Sequence, residues 1–96
     1  SAAASGAATA PQRKLQVIMF STSWCPSCRA ARAFFQSKGV PFREFDVERN
    51  PQAARAYVAI ARKHGLRPGA VPLIVINGKV YQGFSRLQIA SALNQG

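Results

Sequence analysis

Residues 15–28 have the sequence LQVIMFSTSWCPSC, in which an apolar run is followed closely by two cysteines. The run at 15–20 is short and apolar, which is typical of a buried β-strand. Pro26 suits the first turn of a helix and Gly39 suits the position just past its end, so a helix is predicted over residues 25–38. The cysteine pair is therefore predicted to lie where a strand gives way to a helix.

The rest of the chain predicts three more strands and two more helices. Strands are expected at 41–47, 71–76 and 79–82, and helices from Pro51 to about His64 and from Ser85 onward. Asn77-Gly78 separates the last two strands and predicts a tight hairpin, because both residues tolerate positive φ. The expected fold is α/β in the order β-α-β-α-β-β-α, with a four-stranded mixed sheet flanked by helices on both faces.

The composition limits the chain to one small domain and excludes several classes of protein. The 96 residues are 48% hydrophobic, which suffices for one core and is too much for a disordered chain. Residues 1–13 are interpreted as a flexible lead-in or linker, and residues 14–96 as the folded domain. Because no apolar run approaches the roughly 20 residues that span a bilayer, no membrane partner is expected.

The formal charge of +10, from 13 Lys+Arg against 3 Asp+Glu, raises the question of nucleic-acid binding. Nucleic-acid binders usually gather their basic residues on one face, interleaved with stacking aromatics. Here the basic residues are spread over every predicted helix and several loops. No nucleic-acid partner is therefore expected, and the charge instead favours protein partners with an acidic docking face.

The spacing of Cys25 and Cys28 indicates redox chemistry. As the residue that caps the helix, Cys25 places its sulfur beside the unpaired N–H groups of the first turn, and these favour the thiolate. Cys28 follows about one turn later, so one cysteine can attack a disulfide and the other can resolve the mixed disulfide. A zinc site needs about four ligands and the chain offers only one further soft ligand, His64, besides the pair, so no metal site is expected. A purely structural disulfide across so short a loop restrains little of the unfolded chain.

Three segments of the chain stand next to predicted strands. They are WCPSC at 24–28 after the first strand, Val71-Pro72 at the start of the third strand, and Gly83-Phe84 after the hairpin. Together they resemble the glutaredoxin family, which has the thioredoxin-like fold, from about residue 14 to the C-terminus. The resemblance implies that Cys25 is the nucleophile, that Cys28 is the resolving thiol, and that the two form a redox-active disulfide.

The resemblance also implies a substrate site around the cysteines. Val71-Pro72 is expected to be a cis peptide facing the pair, with its backbone pairing with an extended substrate. A strand-opening proline at a sheet edge is the alternative interpretation of Pro72. The residues expected to contact substrate are Trp24, Pro26, Val71, Pro72, Gly83, Phe84 and Ser85. For Trp24, a place in the core is the alternative.

At two places the sequence differs from the members of the family that use glutathione as electron donor. Thr22 stands where those members carry a lysine, and Ser85 and Arg86 stand where acids receive the amino group of glutathione. The chain therefore looks more similar to the glutaredoxin-like proteins that behave as small thioredoxins, including hydrogen donors for ribonucleotide reductase.

The expected function is that of a dithiol–disulfide oxidoreductase that reduces protein or small-molecule disulfides through the CPSC site. A glutathione-dependent glutaredoxin is the first alternative, and an iron–sulfur or metal-binding carrier using Cys25 is the second. No tightly bound cofactor is expected, and a reductase or glutathione supplies the electrons. We expect a monomer in the cytoplasm, with a periplasmic or tethered location as the alternative.

Overall fold

The computed structural model describes residues 15–95, which form a mixed four-stranded sheet with three helices. The strands are β1 (Val17–Ser21), β2 (Arg43–Asp46), β3 (Leu73–Ile76) and β4 (Lys79–Gln82), and the helices are α1 (Pro26–Ser37), α2 (Pro51–Lys63) and α3 (Arg86–Gln95). The sheet order is β2-β1-β3-β4, with β1 parallel to β2 and the other pairs antiparallel. This confirms the predicted fold class and element order, while the lead-in expected at 1–13 lies outside the described residues.

Each face of the sheet carries its own apolar cluster. Under α1 and α3, the buried cluster includes Met19, Phe35, Ile74 and Ile89, and under α2 it comprises Phe20, Ala53, Tyr57 and Leu73. Neighbours along the central strands, such as Met19 and Phe20, belong to opposite clusters because successive strand side chains point to opposite faces. The cysteines therefore follow the end of a central strand whose sheet is packed on both faces.

The helix starts and the hairpin follow the local sequence signals. Asn50 caps α2, its side-chain oxygen accepting a hydrogen bond from the N–H three residues later at 3.1 Å. Ser85 does the same at the start of α3, over 3.4 Å. Asn77 and Gly78 have φ of 50° and 87°, as a tight turn between β3 and β4 requires.

The bounds of three strands differ from the prediction: β1 covers 17–21 instead of 15–20, β2 covers 43–46 instead of 41–47, and β3 covers 73–76 instead of 71–76. Two of the starts have a local reason. β1 begins at Val17, because the backbone of Gln16 is bonded to Asn77 of the hairpin turn. β3 begins at Leu73, because Pro72 has no N–H to contribute to a sheet ladder. Within the described part of the chain, no helix is long and apolar enough to cross a membrane.

Candidate active site

Cys25 is the N-cap of α1, and its sulfur accepts a hydrogen bond from the backbone N–H of Cys28 at 3.1 Å. Its backbone is extended, while Pro26 begins the helix at no cost in hydrogen bonds, since its position lacks an intrahelical acceptor. An N–H donor and the positive end of a helix both stabilise a negatively charged sulfur. The expected capping geometry is therefore present, with the Cys25 sulfur at the N-terminus of α1.

Cys28 lies deeper than Cys25 and has a different environment. Both cysteines are free thiols, and Cys28 is fully buried. Burial, followed by a hydrogen bond with Cys25, raises the pKa of the Cys28 thiol to about 12; the negative charge of Glu44 acts in the same direction and the Thr22 backbone opposes it. Cys28 is therefore held as a protonated thiol at neutral pH.

The proline loop, residues 65–72, forms the opposite side of the site. The Cys25 sulfur lies 3.7 Å from the carbonyl oxygen of Val71, which accepts its hydrogen bond. The Val71–Pro72 peptide bond is cis, and Pro72 is buried. The carbonyl of Pro72 accepts a hydrogen bond from the N–H of Gly83 at 2.8 Å, just after β4. Cys25, Val71, Pro72 and Gly83 are thus brought together in one chain of contacts.

The other residues expected to contact substrate lie in two different settings. The Trp24 side chain is at the surface, 61% exposed, and its indole N–H donates to the Glu48 carboxylate at 3.0 Å. Phe84 packs its ring against Phe34 of α1, with the ring centroids 5.6 Å apart, and Ser85 caps α3. Trp24 is therefore available to a substrate, while Phe84 and Ser85 support the packing and the start of a helix.

An ion pair beside the cysteines has no counterpart in the sequence analysis. Arg32 of α1 binds both carboxylate oxygens of Glu44 on β2, one of them from Nε at 2.8 Å. The Ser21 hydroxyl donates to the same carboxylate at 2.7 Å. The bond with Arg32 and, less strongly, that with Ser21 hold the pKa of Glu44 below its usual range. The pairing of β1 with β2 creates this cluster, and no sequence spacing indicates it.

A cavity of about 270 Å³ adjoins this ion pair. Its lining residues are Ser21, Thr22, Ser23, Arg32, Glu44 and Asp46. Over residues 15–95, no cluster of three or more His, Cys, Asp or Glu side chains is placed to hold a metal ion. His64, the further soft ligand in the sequence, lies exposed at the end of α2.

Comparisons with known proteins find relatives in both sequence and fold. The family model Glutaredoxin matches residues 17–81. A glutaredoxin from Pseudomonas aeruginosa is 37% identical over 49 residues, which are 51% of this chain and 55% of that protein, so the chain spans little more than half of that relative. The structure of a wheat glutaredoxin has a TM-score of 0.62 at 31% identity, covering 83% of this chain and 71% of that one. The glutaredoxin-like NrdH-redoxin from Escherichia coli, whose activity profile is described as thioredoxin-like, has a TM-score of 0.65 at 24% identity over 79% of this chain and 92% of that one.

Proposed function

The chain belongs to the glutaredoxin family of thioredoxin-like redox proteins, and we propose that it is a dithiol–disulfide oxidoreductase acting on protein disulfides. The contrast between its two thiols is the observation that supports this most. The Cys25 sulfur is stabilised by an N–H at 3.1 Å, whereas burial holds Cys28 protonated. In such a pair one sulfur can attack the substrate disulfide, and the other can later resolve the mixed disulfide.

The reaction transfers two electrons from the cysteine pair to the substrate. The Cys25 thiolate attacks one substrate sulfur, the S–S bond breaks, and the departing thiolate takes up a proton. Cys28 then gives up its proton and attacks the Cys25 sulfur of the mixed disulfide. This step forms the Cys25–Cys28 disulfide and releases the second substrate thiolate, so that the substrate is reduced and the pair is oxidised.

The proline loop and Trp24 provide the surfaces for an extended substrate. Val71 is half-buried, and its carbonyl already points to the Cys25 sulfur. A peptide that pairs with the backbone beside Val71 brings its disulfide to Cys25, as an added strand does at a sheet edge. The exposed indole of Trp24 offers an apolar platform next to the nucleophile.

The start of α3 favours a protein electron donor over glutathione. The first turn of this helix carries no acidic residue, so it offers no carboxylate to an ammonium group of glutathione. Its first residue, Arg86, instead lies over the Phe34 ring, 5.5 Å from the centroid. We propose that a reductase of the thioredoxin reductase type recycles the pair more effectively than glutathione does.

The charge around the site suits an acidic partner. Arg29, Arg67 and Arg86 are exposed on α1, the proline loop and α3 respectively. Of the three acidic residues, Glu44 and Asp46 pair with arginines and Glu48 accepts a hydrogen bond from the Trp24 indole, so basic residues are in excess. Turnover of an acidic protein substrate is therefore expected to slow as salt is raised, because salt screens steered encounter.

Substitution of each cysteine tests the proposed reaction. With a disulfide-containing protein as substrate, Cys25→Ser is expected to reduce turnover to background, because the attacking thiolate is lost. Cys28→Ser is expected to accumulate a mixed disulfide at Cys25, visible by mass spectrometry and absent from the double variant. Full activity of Cys25→Ser would overturn the proposal.

The electron donor is tested separately with the wild-type protein. One assay couples turnover to glutathione and its reductase, and the other couples it to thioredoxin reductase. The proposal predicts faster turnover with thioredoxin reductase. Faster turnover with glutathione would instead favour the glutathione-dependent function, to which family membership also points.

A further inference from the structure

The Tyr57 hydroxyl makes two hydrogen bonds to the middle of the proline loop. It accepts from the backbone N–H of Gly69 at 2.7 Å and donates to the carbonyl of Ala70 at 2.6 Å. Ala70 directly precedes Val71, whose carbonyl lies 3.7 Å from the Cys25 sulfur. A single side-chain oxygen is therefore bonded to the backbone immediately before the group that faces the nucleophile.

The position of this hydroxyl is itself fixed by packing. Tyr57 lies on α2, is only 5% exposed, and belongs to the apolar cluster with Phe20 and Leu73. Its ring centroid lies 6.1 Å from that of Phe20 on β1. Because the ring is held between the helix and the sheet, the hydroxyl presents a fixed anchor to the loop.

Two further bonds hold the ends of the loop. The Gln82 side-chain amide donates to the carbonyl of Arg67 at 2.7 Å, and the N–H of Gly83 donates to the carbonyl of Pro72 at 2.8 Å. Between these points, Gly69 and Ala70 are exposed and bonded to Tyr57. The Tyr57 hydroxyl thus holds the backbone of residues 69–70, which lies between the bonded carbonyls of Arg67 and Pro72.

We infer that Tyr57 is a positioning residue that holds the Val71 backbone in register with Cys25 for pairing with the substrate. The inference rests on the proposed function, in which an extended substrate pairs beside Val71. The two hydrogen bonds of the Tyr57 hydroxyl go to the loop backbone and not to the Cys25 sulfur. Loss of this hydroxyl should therefore weaken the binding of a peptide disulfide while leaving the chemistry of Cys25 unchanged.

Tyr57→Phe tests this by removing one oxygen while keeping the ring. We expect KM for a peptide disulfide to rise about tenfold with kcat changed by less than about twofold. Alkylation of Cys25 by iodoacetamide, which needs no strand pairing, should also change by less than about twofold. The matched control is Tyr81→Phe, which removes the same atom from β4, where Tyr81 packs against the cluster of the other face.

A KM for Tyr57→Phe within about twofold of that of Tyr81→Phe would overturn the inference, as would a fall in kcat at unchanged KM. If Tyr57→Phe does not fold, Gln82→Ala provides the test, with KM expected to rise about two- to threefold because the bond to the Arg67 carbonyl is lost. An unchanged KM in Gln82→Ala would then overturn the inference.

Amide hydrogen exchange supplies a readout that needs no turnover. The amides of Gly69 and Val71 should exchange faster in Tyr57→Phe than in Tyr81→Phe, and equal rates would overturn the inference. Wild-type protein that reduces no disulfide would overturn the proposed function alone, because the exchange rates still decide whether Tyr57 orders the loop.

Discussion

The cysteine segment, residues 24–28, and the proline loop face each other across the site but are held in different ways. The bond that defines the cysteine segment joins residues three positions apart, from the Cys28 N–H to the Cys25 sulfur. The side chains that hold the proline loop, Tyr57 and Gln82, come from 12 to 15 positions away. The cysteine segment is thus held by a contact within one helical turn, whereas the proline loop is held by side chains from other elements of the fold.

The largest expected effect tests whether the cysteine segment is independent of the core beneath it. Phe35 lies on α1 and is fully buried, so Phe35→Ala should lower the free energy of unfolding by about 3–5 kcal/mol. Because the Cys25 cap is a local contact, iodoacetamide should alkylate the folded variant at a rate within about twofold of wild type. Urea unfolding and alkylation below the unfolding transition measure both quantities.

The control for this comparison is Leu87→Ala, at a side chain that is 85% exposed. Its stability should stay within about 0.5 kcal/mol of wild type. A loss of reactivity in folded Phe35→Ala that matches its loss of stability would contradict the independence of the cysteine segment.

The next largest effect is the dependence of stability on pH that arises from the buried thiol of Cys28. The pKa of Cys28 is raised from 9.0 to about 12 in the folded protein, so above pH 9 the unfolded chain releases this proton first. The stabilisation from the protonated thiol is fully present below pH 9 and is lost progressively as pH rises toward 12. Urea unfolding of the reduced protein between pH 8 and 11 should show this decline.

The Cys28→Ser variant separates this decline from the titration of other groups. Serine does not ionise in this range, so the variant should lose stability less steeply above pH 9 than the wild-type protein. Parallel curves for the two proteins would show that the local environment of Cys28 does not perturb its titration.

A smaller effect tests whether a residue outside both regions adjusts the cysteine segment. The negative charge of Glu44 contributes to the raised pKa of Cys28, so Glu44→Gln should lower that pKa. Because this is the weakest of the causes that act on Cys28, resolution of a preformed mixed disulfide at pH 7 should accelerate by about twofold at most, measured by stopped flow. The half-buried ion pair with Arg32 is also lost, at a cost of about 1 kcal/mol in stability.

The matched control here is Glu48→Gln. It removes the same charge from a carboxylate that binds the Trp24 indole and lies outside the Arg32 ion pair. Its rate of resolution should equal that of wild type, and an equal acceleration in the two variants would point to a general effect of net charge.

The smallest effects concern the caps of the two helices that flank the proline loop and β4. Asn50→Ala removes a 3.1 Å bond at the start of α2, which carries Tyr57, and should lower stability by about 1 kcal/mol. Ser85→Ala removes an exposed 3.4 Å bond at the start of α3 and should lower it by about half as much. Urea unfolding of both variants measures the two losses of stability. A loss in Ser85→Ala that equals or exceeds that in Asn50→Ala would contradict the prediction.

Much of the fold was predictable because its signals are short in sequence. The Asn77-Gly78 pair specified the hairpin, and β4 has the predicted bounds. Asn50 specified the start of α2. The resemblance to the glutaredoxin family is confirmed over residues 17–81. Strand ends were predicted less well, because they depend on where the partner strand or a proline ends the ladder.

The supporting contacts of the site could not be predicted in the same way. Glu44 and Arg32 are 12 positions apart on a strand and a helix, and their pairing requires β2 to lie beside β1. Tyr57 has the helical spacing of an ordinary core residue, and its hydroxyl acquires a partner only when the proline loop folds over α2. Neither arrangement follows a periodicity or a motif.

The sequence by itself determined the reactive element of this protein. Two cysteines one helical turn apart, with a proline between them at the helix start, fix the cap geometry through bonds within a single turn. The family resemblance already placed Val71-Pro72 opposite that element, but only the tertiary structure decided which side chains contact this backbone, because Val71 lies 46 positions from Cys25 and the preceding Ala70 is bonded to Tyr57. Local hydrogen bonds form wherever the segment folds as a helix, whereas the opposing backbone is placed by packing across the whole sheet.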